Sequence, residues 1–144
     1  MTKEKKKRVP VPKPRNNGTM TESAFWSFIR SSLRKASMYW KPLQQCKLDS
    51  RRAFKGGGRQ KWEYHCNNCK KWFKEKEIEV DHIIDAGSLR NADDLKGFIE
   101  RCFVEAGGYQ VLCKPCHREK TNAVRQANKL LKDQEKTNEY SEIK

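Results

Sequence analysis

Two pairs of cysteines constrain this chain more than any other feature. Cys66-Asn67-Asn68-Cys69 and Cys113-Lys114-Pro115-Cys116 are separated by residues 70–112. Each Cys-x-x-Cys turn places two thiolates within reach of one tetrahedral ion, and two such turns complete a four-cysteine zinc site. A closed site of four thiolates leaves no open coordination position, so the zinc it predicts is structural. A redox Cys-x-x-Cys needs no second pair and belongs to a thioredoxin-like βαβ pattern, which is absent. Cys46 and Cys102 stand alone inside helical patterns and read as small apolar residues. An ion also suits a chain with little core-forming material: only 35% of its 144 residues are apolar, the same share as are charged.

The charge is one-sided. Lys and Arg number 32 against 18 Asp and Glu, a net charge of +14, which implies an anionic partner, most commonly nucleic acid. No apolar run approaches the ~18 residues of a membrane span. The basic N-terminal stretch has no apolar segment behind it, as a secretory signal would. The expectation is an intracellular protein, with no membrane partner and metal-binding rather than disulfide-bonded cysteines.

Along the chain, residues 1–18 read as a disordered basic tail. Lys5, Lys6, Lys7 and Arg8 sit among seven basic residues opposed only by Glu4, with three prolines close behind. Such a tail is a nuclear localisation signal in a eukaryote, or an arm that rides on phosphates in any cell. Residues 19–55 read as a helical N-terminal segment. Thr19-x-x-Glu22 has the form of a capping box, and Phe25, Phe28, Ile29, Leu33 and Ala36 recur at helical spacing. Pro42 suits the first turn of a second helix, and Gly56-Gly57-Gly58 reads as a hinge.

Residues 56–132 then form the main domain. Trp62 and Tyr64, and later Ile78 and Val80, alternate with charged neighbours as strands do. Helical spacing returns over residues 91–106 and ends at Gly107-Gly108. A strand over residues 109–112 leads into the second cysteine pair, and a last helix runs from near Cys116 to about Lys132. Residues 133–144 read as a polar C-terminal tail. The fold class is α+β.

There are three histidines. His65 reads as structural or surface. His82 ends a strand directly after Asp81, and His117 directly follows Cys116. Adjacent helix residues diverge by about 100°, so Cys116 can face the zinc while His117 faces a second metal. Adjacent strand residues point to opposite faces, so Asp81 and His82 suit two separate jobs. A zinc tying the two cysteine pairs together would bring these groups towards one another.

The motifs Cys66-Asn67-Asn68-Cys69, Val80-Asp81-His82-Ile83-Ile84 and Gln110-Val111-Leu112-Cys113-Lys114-Pro115-Cys116-His117-Arg118-Glu119-Lys120-Thr121 resemble the HNH endonucleases. The likeness is greatest to small phage-encoded members with a four-cysteine zinc site, and it spans roughly residues 60–125; residues 22–53 resemble the helices of such proteins more softly. The resemblance implies a ββα-metal finger stapled by a zinc ribbon (Cys66, Cys69, Cys113, Cys116) that hydrolyses DNA phosphodiesters, nicking or cutting both strands. His82 matches the general base, and Asp81 and His117 match the ligands of a catalytic divalent ion, Mg2+, Mn2+ or Ni2+. The family's middle Asn falls at Gly108, so its bracing must come from elsewhere, the helical stretch 91–106 being the candidate. Double-stranded DNA is the implied partner and, for a phage protein, the bacterial host cytoplasm the implied location.

The chemistry fits these residue types. A divalent ion neutralises phosphate and leaving oxygen, and an ordinary imidazole, pKa about 6.5, accepts a water proton at neutral pH. Candidate phosphate contacts are Arg118, Lys120 and Arg125 on the last helix, Lys55, Arg59 and Lys61 around the glycines, and the basic tail. The four tryptophans read as packing residues rather than base-stacking platforms. Two other readings remain: a non-catalytic zinc-ribbon module for nucleic acid or protein, and a nuclease fold that inhibits or recruits another protein.

Overall fold

The computed structural model describes the backbone of residues 8–142 and the side chains of residues 8–137. Lys5, Lys6 and Lys7 therefore lie outside the described residues, as do the tail reading of residues 1–7 and that of residues 143–144. The described chain is mixed α+β, with four α-helices and two small antiparallel sheets. It divides into two compact units, each discontinuous in sequence: Met1–Trp40 with Ile84–Val104, and Lys41–Ile83 with Glu105–Lys144. The units do not follow the sequence-based boundaries at residues 18, 55 and 132.

In the first unit Thr21, rather than Thr19, caps α1 (Glu22–Ser37), its hydroxyl accepting from the Ala24 N–H at 3.1 Å. Thr19 instead sits in a tight turn closed by the Arg15↔Met20 bridge, where Asn16, Asn17 and Gly18 all take positive φ. Among the described residues, structure therefore begins at Arg15, earlier than expected. The Arg15 guanidinium grips Glu22 through two hydrogen bonds of 2.9 Å, and those bonds hold the Glu22 carboxyl below its ordinary range. From α1, Trp26, Ile29 and Leu33 pack against a core of Ala86, Leu89, Phe98 and Cys102. The expected helix over residues 91–106 is shorter: α3 (Leu95–Cys102) follows a 3-10 turn capped by Asn91, and Phe103 leaves helical backbone at φ −111°, ψ 66°. Trp40 donates its indole N–H to the Val104 carbonyl at 2.8 Å and packs edge-on against Phe103. Trp26 and Trp40 are thus packing residues.

The second unit opens with α2 (Lys41–Asp49), and Pro42 occupies its first turn as expected. β1 (Arg51–Ala53), β2 (Trp62–His65) and β3 (Trp72–Phe73) form one antiparallel sheet, so residues 51–53 are strand rather than helix. The triple glycine closes the β1–β2 hairpin rather than acting as a hinge, with Gly57 and Gly58 at φ +78° and +76°. β4 (Ile78–His82) pairs with β5 (Tyr109–Cys113), Asp81 opposite Gln110 and His82 opposite Tyr109. α4 (Lys114–Glu142) does not stop near Lys132, so residues 133–142 are helix rather than tail.

Alternation along β4 divides its side chains. Ile78 and Val80 join Tyr64 and Val111 in a core, and Cys46 of α2 packs on it. Glu79 and Asp81 leave the other face, where side chains of α4 meet them. No described helix is long and apolar enough to cross a membrane.

Candidate functional site

The four cysteines converge. The β2–β3 turn carries Cys66 and Cys69, β5 ends at Cys113, and Cys116 lies one turn into α4. Their sulfur atoms all lie within 4.8 Å of one another, and Cys69 Sγ is 3.9 Å from Cys113 Sγ. Sulfurs about 2.3 Å from a tetrahedral zinc stand about 3.8 Å apart, so the four are positioned to hold a metal ion such as zinc. Outer donors are in place too: the Cys113 N–H and the Asn68 amide each reach a sulfur, Cys66 and Cys116 respectively, at 3.3 Å.

Burial pushes the Cys113 thiol up to about 12. At Cys66 burial acts the same way, but backbone N–H donors from Cys113, Cys69 and Asn68 outweigh it and bring the thiol down to about 6. A cation among the sulfurs would hold all four as thiolates. Cys46 is no part of this group; burial, and then the Asp49 carboxylate, push its thiol up. Cys102 is fully buried in the first unit's core. Both are the apolar residues expected.

A second group forms where β4 meets α4. His117 Nε2 lies 3.5 Å from Asp81 Oδ1, and His117 Nδ1 lies 2.7 Å from Glu79 Oε2. Two donors about 2.1 Å from one ion stand roughly 3.0–3.5 Å apart at right to tetrahedral angles. The pair has that spacing. Glu79 is placed to accept a hydrogen bond from an Nδ1–H of His117; with the proton on Nδ1, the Nε2 lone pair would lie on the side of Asp81, the usual outer-sphere arrangement of a metal-binding histidine. The second oxygen of Asp81 is engaged separately. Lys120 Nζ lies 2.5 Å from Oδ2, Gln110 Nε2 donates to it at 3.1 Å, and Lys120 also reaches the carbonyls of His82 and Ile83.

His82 is not brought into this group. Its ring tilts against Tyr109 at 4.8 Å between centroids, on the face of β4 opposite Asp81. His65 packs beside Trp72 at 5.0 Å. At Gly108, where the resemblance places the family's Asn, the carbonyl accepts from the Ile83 N–H at 2.9 Å, extending the β4–β5 pairing.

The basic candidates separate. Arg118 and Arg125 line an open cleft of about 360 Å³ together with Glu79, Lys114, His117, Thr121 and Asn122. Lys120 is held by Asp81 and two carbonyls rather than projecting freely. Lys55, Arg59 and Lys61 are exposed around the β1–β2 turn. Nearby, Arg51 stacks over Trp62 at 4.0 Å and Arg52 over Trp72 at 3.8 Å. Trp62 remains 40% exposed, so it is less completely packed than expected.

Sequence reasoning missed Glu79, Gln110 and Lys114. Glu79 had a discoverable signal, since it stands two residues before Asp81 and so shares its face. Gln110 had none without the β4–β5 register. Compared with known proteins, the chain matches no family model, no curated protein and no solved structure.

Proposed function

We propose that this protein is a metal-dependent HNH endonuclease acting on double-stranded DNA inside a cell, with β4, β5 and α4 as a ββα-metal finger beside a four-cysteine zinc ribbon. The observation that carries the reading is the Asp81–His117 pair, 3.5 Å apart, with Glu79 fixing the imidazole. Asp81 Oδ1 and His117 Nε2 would hold Mg2+, Mn2+ or Ni2+, which when bound neutralises phosphate charge and stabilises the leaving oxygen. His82, whose ring rests on Tyr109 in this structure, would have to turn from it to accept a proton from water as the water oxygen bonds to phosphorus. The P–O3′ bond breaks, and the departing oxygen takes a proton from solvent. Arg118, Arg125 and Lys114, beside His117 in one cleft, would bind the flanking phosphates.

The test is cleavage of supercoiled plasmid with each metal. Parent protein should nick or linearise the DNA, while His82→Ala loses about 10²-fold or more. His117→Ala and Asp81→Ala lose activity too, partly restored by excess Mn2+. A second reading has an observation of its own: Lys120 already satisfies one oxygen of Asp81, and His82 packs on Tyr109. On that reading the chain is a zinc-ribbon binding module. Tight DNA binding without cleavage in any metal would put it first.

A further inference from the structure

A directed chain of hydrogen bonds links the first cysteine turn to Asp81. Lys70 Nζ donates to Asn67 Oδ1 at 3.3 Å, Asn67 Nδ2 donates to Gln110 Oε1 at 3.0 Å, and Gln110 Nε2 donates to Asp81 Oδ2 at 3.1 Å. Its direction is fixed at both ends. An ammonium group can only donate, an ionised carboxylate can only accept, and each amide between them must pass one bond onward. Asn67 is itself anchored, lying between Cys66 and Cys69 with its backbone N–H on the Val111 carbonyl at 2.8 Å. Gln110 faces Asp81 because the two are paired across β4 and β5.

We infer that Asn67 and Gln110 are positioning residues: they carry the orientation of the first cysteine turn to Asp81 and turn its free oxygen towards His117. The inference rests on the metal-holding role proposed for Asp81. A carboxylate on a single bond can rotate. Gln110 and Lys120 both hold Oδ2, which leaves Oδ1 as the oxygen 3.5 Å from His117 Nε2. Such outer partners of a metal ligand typically govern affinity by about 10–100-fold. The cysteine site would then serve the second site without touching its ion.

The experiment measures Mn2+ binding to the full chain by calorimetry and by loss of the free-ion paramagnetic resonance signal, with zinc content checked for each variant. The parent should bind one Mn2+, and Asp81→Ala should weaken that binding by about 100-fold or more. Asn67→Ala and Gln110→Ala should keep their zinc and weaken Mn2+ binding by about 10–100-fold. Asn67→Asp is the sharper probe, because it is nearly the same size and cannot donate to Gln110. The Gln110 amide must then turn round and set its oxygen against Asp81, so Mn2+ binding should weaken at least as much as in Asn67→Ala. Simple charge attraction predicts the reverse, since the new carboxylate adds negative charge. Asn67→Ala and Gln110→Ala within about twofold of the parent, or tighter binding by Asn67→Asp, would overturn the inference and leave the nuclease reading standing. A parent that binds none of Mn2+, Mg2+ and Ni2+ at Asp81 would overturn both.

Discussion

Glu79 shows how much one side chain can decide. It lies 2.7 Å from Nδ1 of His117, the nitrogen away from Asp81, and a hydrogen bond there would decide which nitrogen offers a lone pair. Glu79→Gln should therefore weaken Mn2+ binding about 10-fold or more while the zinc content stays unchanged, measurable by titration. His65→Ala should cut DNA nearly as well as the parent, since His65 lies against Trp72 and outside the Asp81 group. At this scale the sequence was legible where chemistry and position coincide. His117 follows Cys116, a member of the four-cysteine cluster, in a helix, and Asp81 sits on a strand of strict alternation. Lys120 was misleading, because a helical lysine reads as a surface charge until the strand beneath it is known. His82 lies on the face away from Asp81, as alternation implied, but against Tyr109 rather than converging with Asp81 and His117.

The elements differ in how local their causes are. α1 owes its start to Thr21, so Thr21→Ala should cost about 1 kcal/mol in urea unfolding. Phe98 of α3 is fully buried in the core that α1 covers, and Phe98→Ala should cost about 3–5 kcal/mol by the same measurement. The Arg15–Glu22 clip adds a pH dependence of known sign. The Glu22 carboxyl is held below its ordinary value of 4.5, so the clip's contribution is complete above that value and fades as pH falls through the depressed one. A Glu22→Gln variant should thus be less stable than the parent at pH 7, with the difference vanishing in strong acid. α2, β4 and β5 could be read from periodicity and from Pro42. β1 and β3 could not, because three and two residues carry too little pattern and exist only through pairing with β2. α4 was read short for the opposite reason: its last turns are polar all round, which resembles a tail.

For the whole molecule, charge and metal set the behaviour. Removing residues 2–14 deletes six basic side chains and one acidic one. DNA binding should then weaken, and its slope against salt should flatten by up to ~0.9 log unit for each phosphate the tail no longer neutralises. The four cysteines are positioned to hold a metal ion; chelation of a zinc held there should unfold the second unit, followed by loss of near-ultraviolet circular dichroism, and Cys113→Ser should do the same. The cysteine turns also impose an order on assembly. Cys69 and Cys113 are 44 positions apart in the chain, and residues 83–108 intervene between β4 and β5. During synthesis the first thiolate pair emerges long before the second. His117 comes after all four clustered cysteines. A nascent or truncated chain can therefore capture zinc loosely with one pair but cannot assemble the proposed cutting centre, which is completed only after the last cysteine has been made.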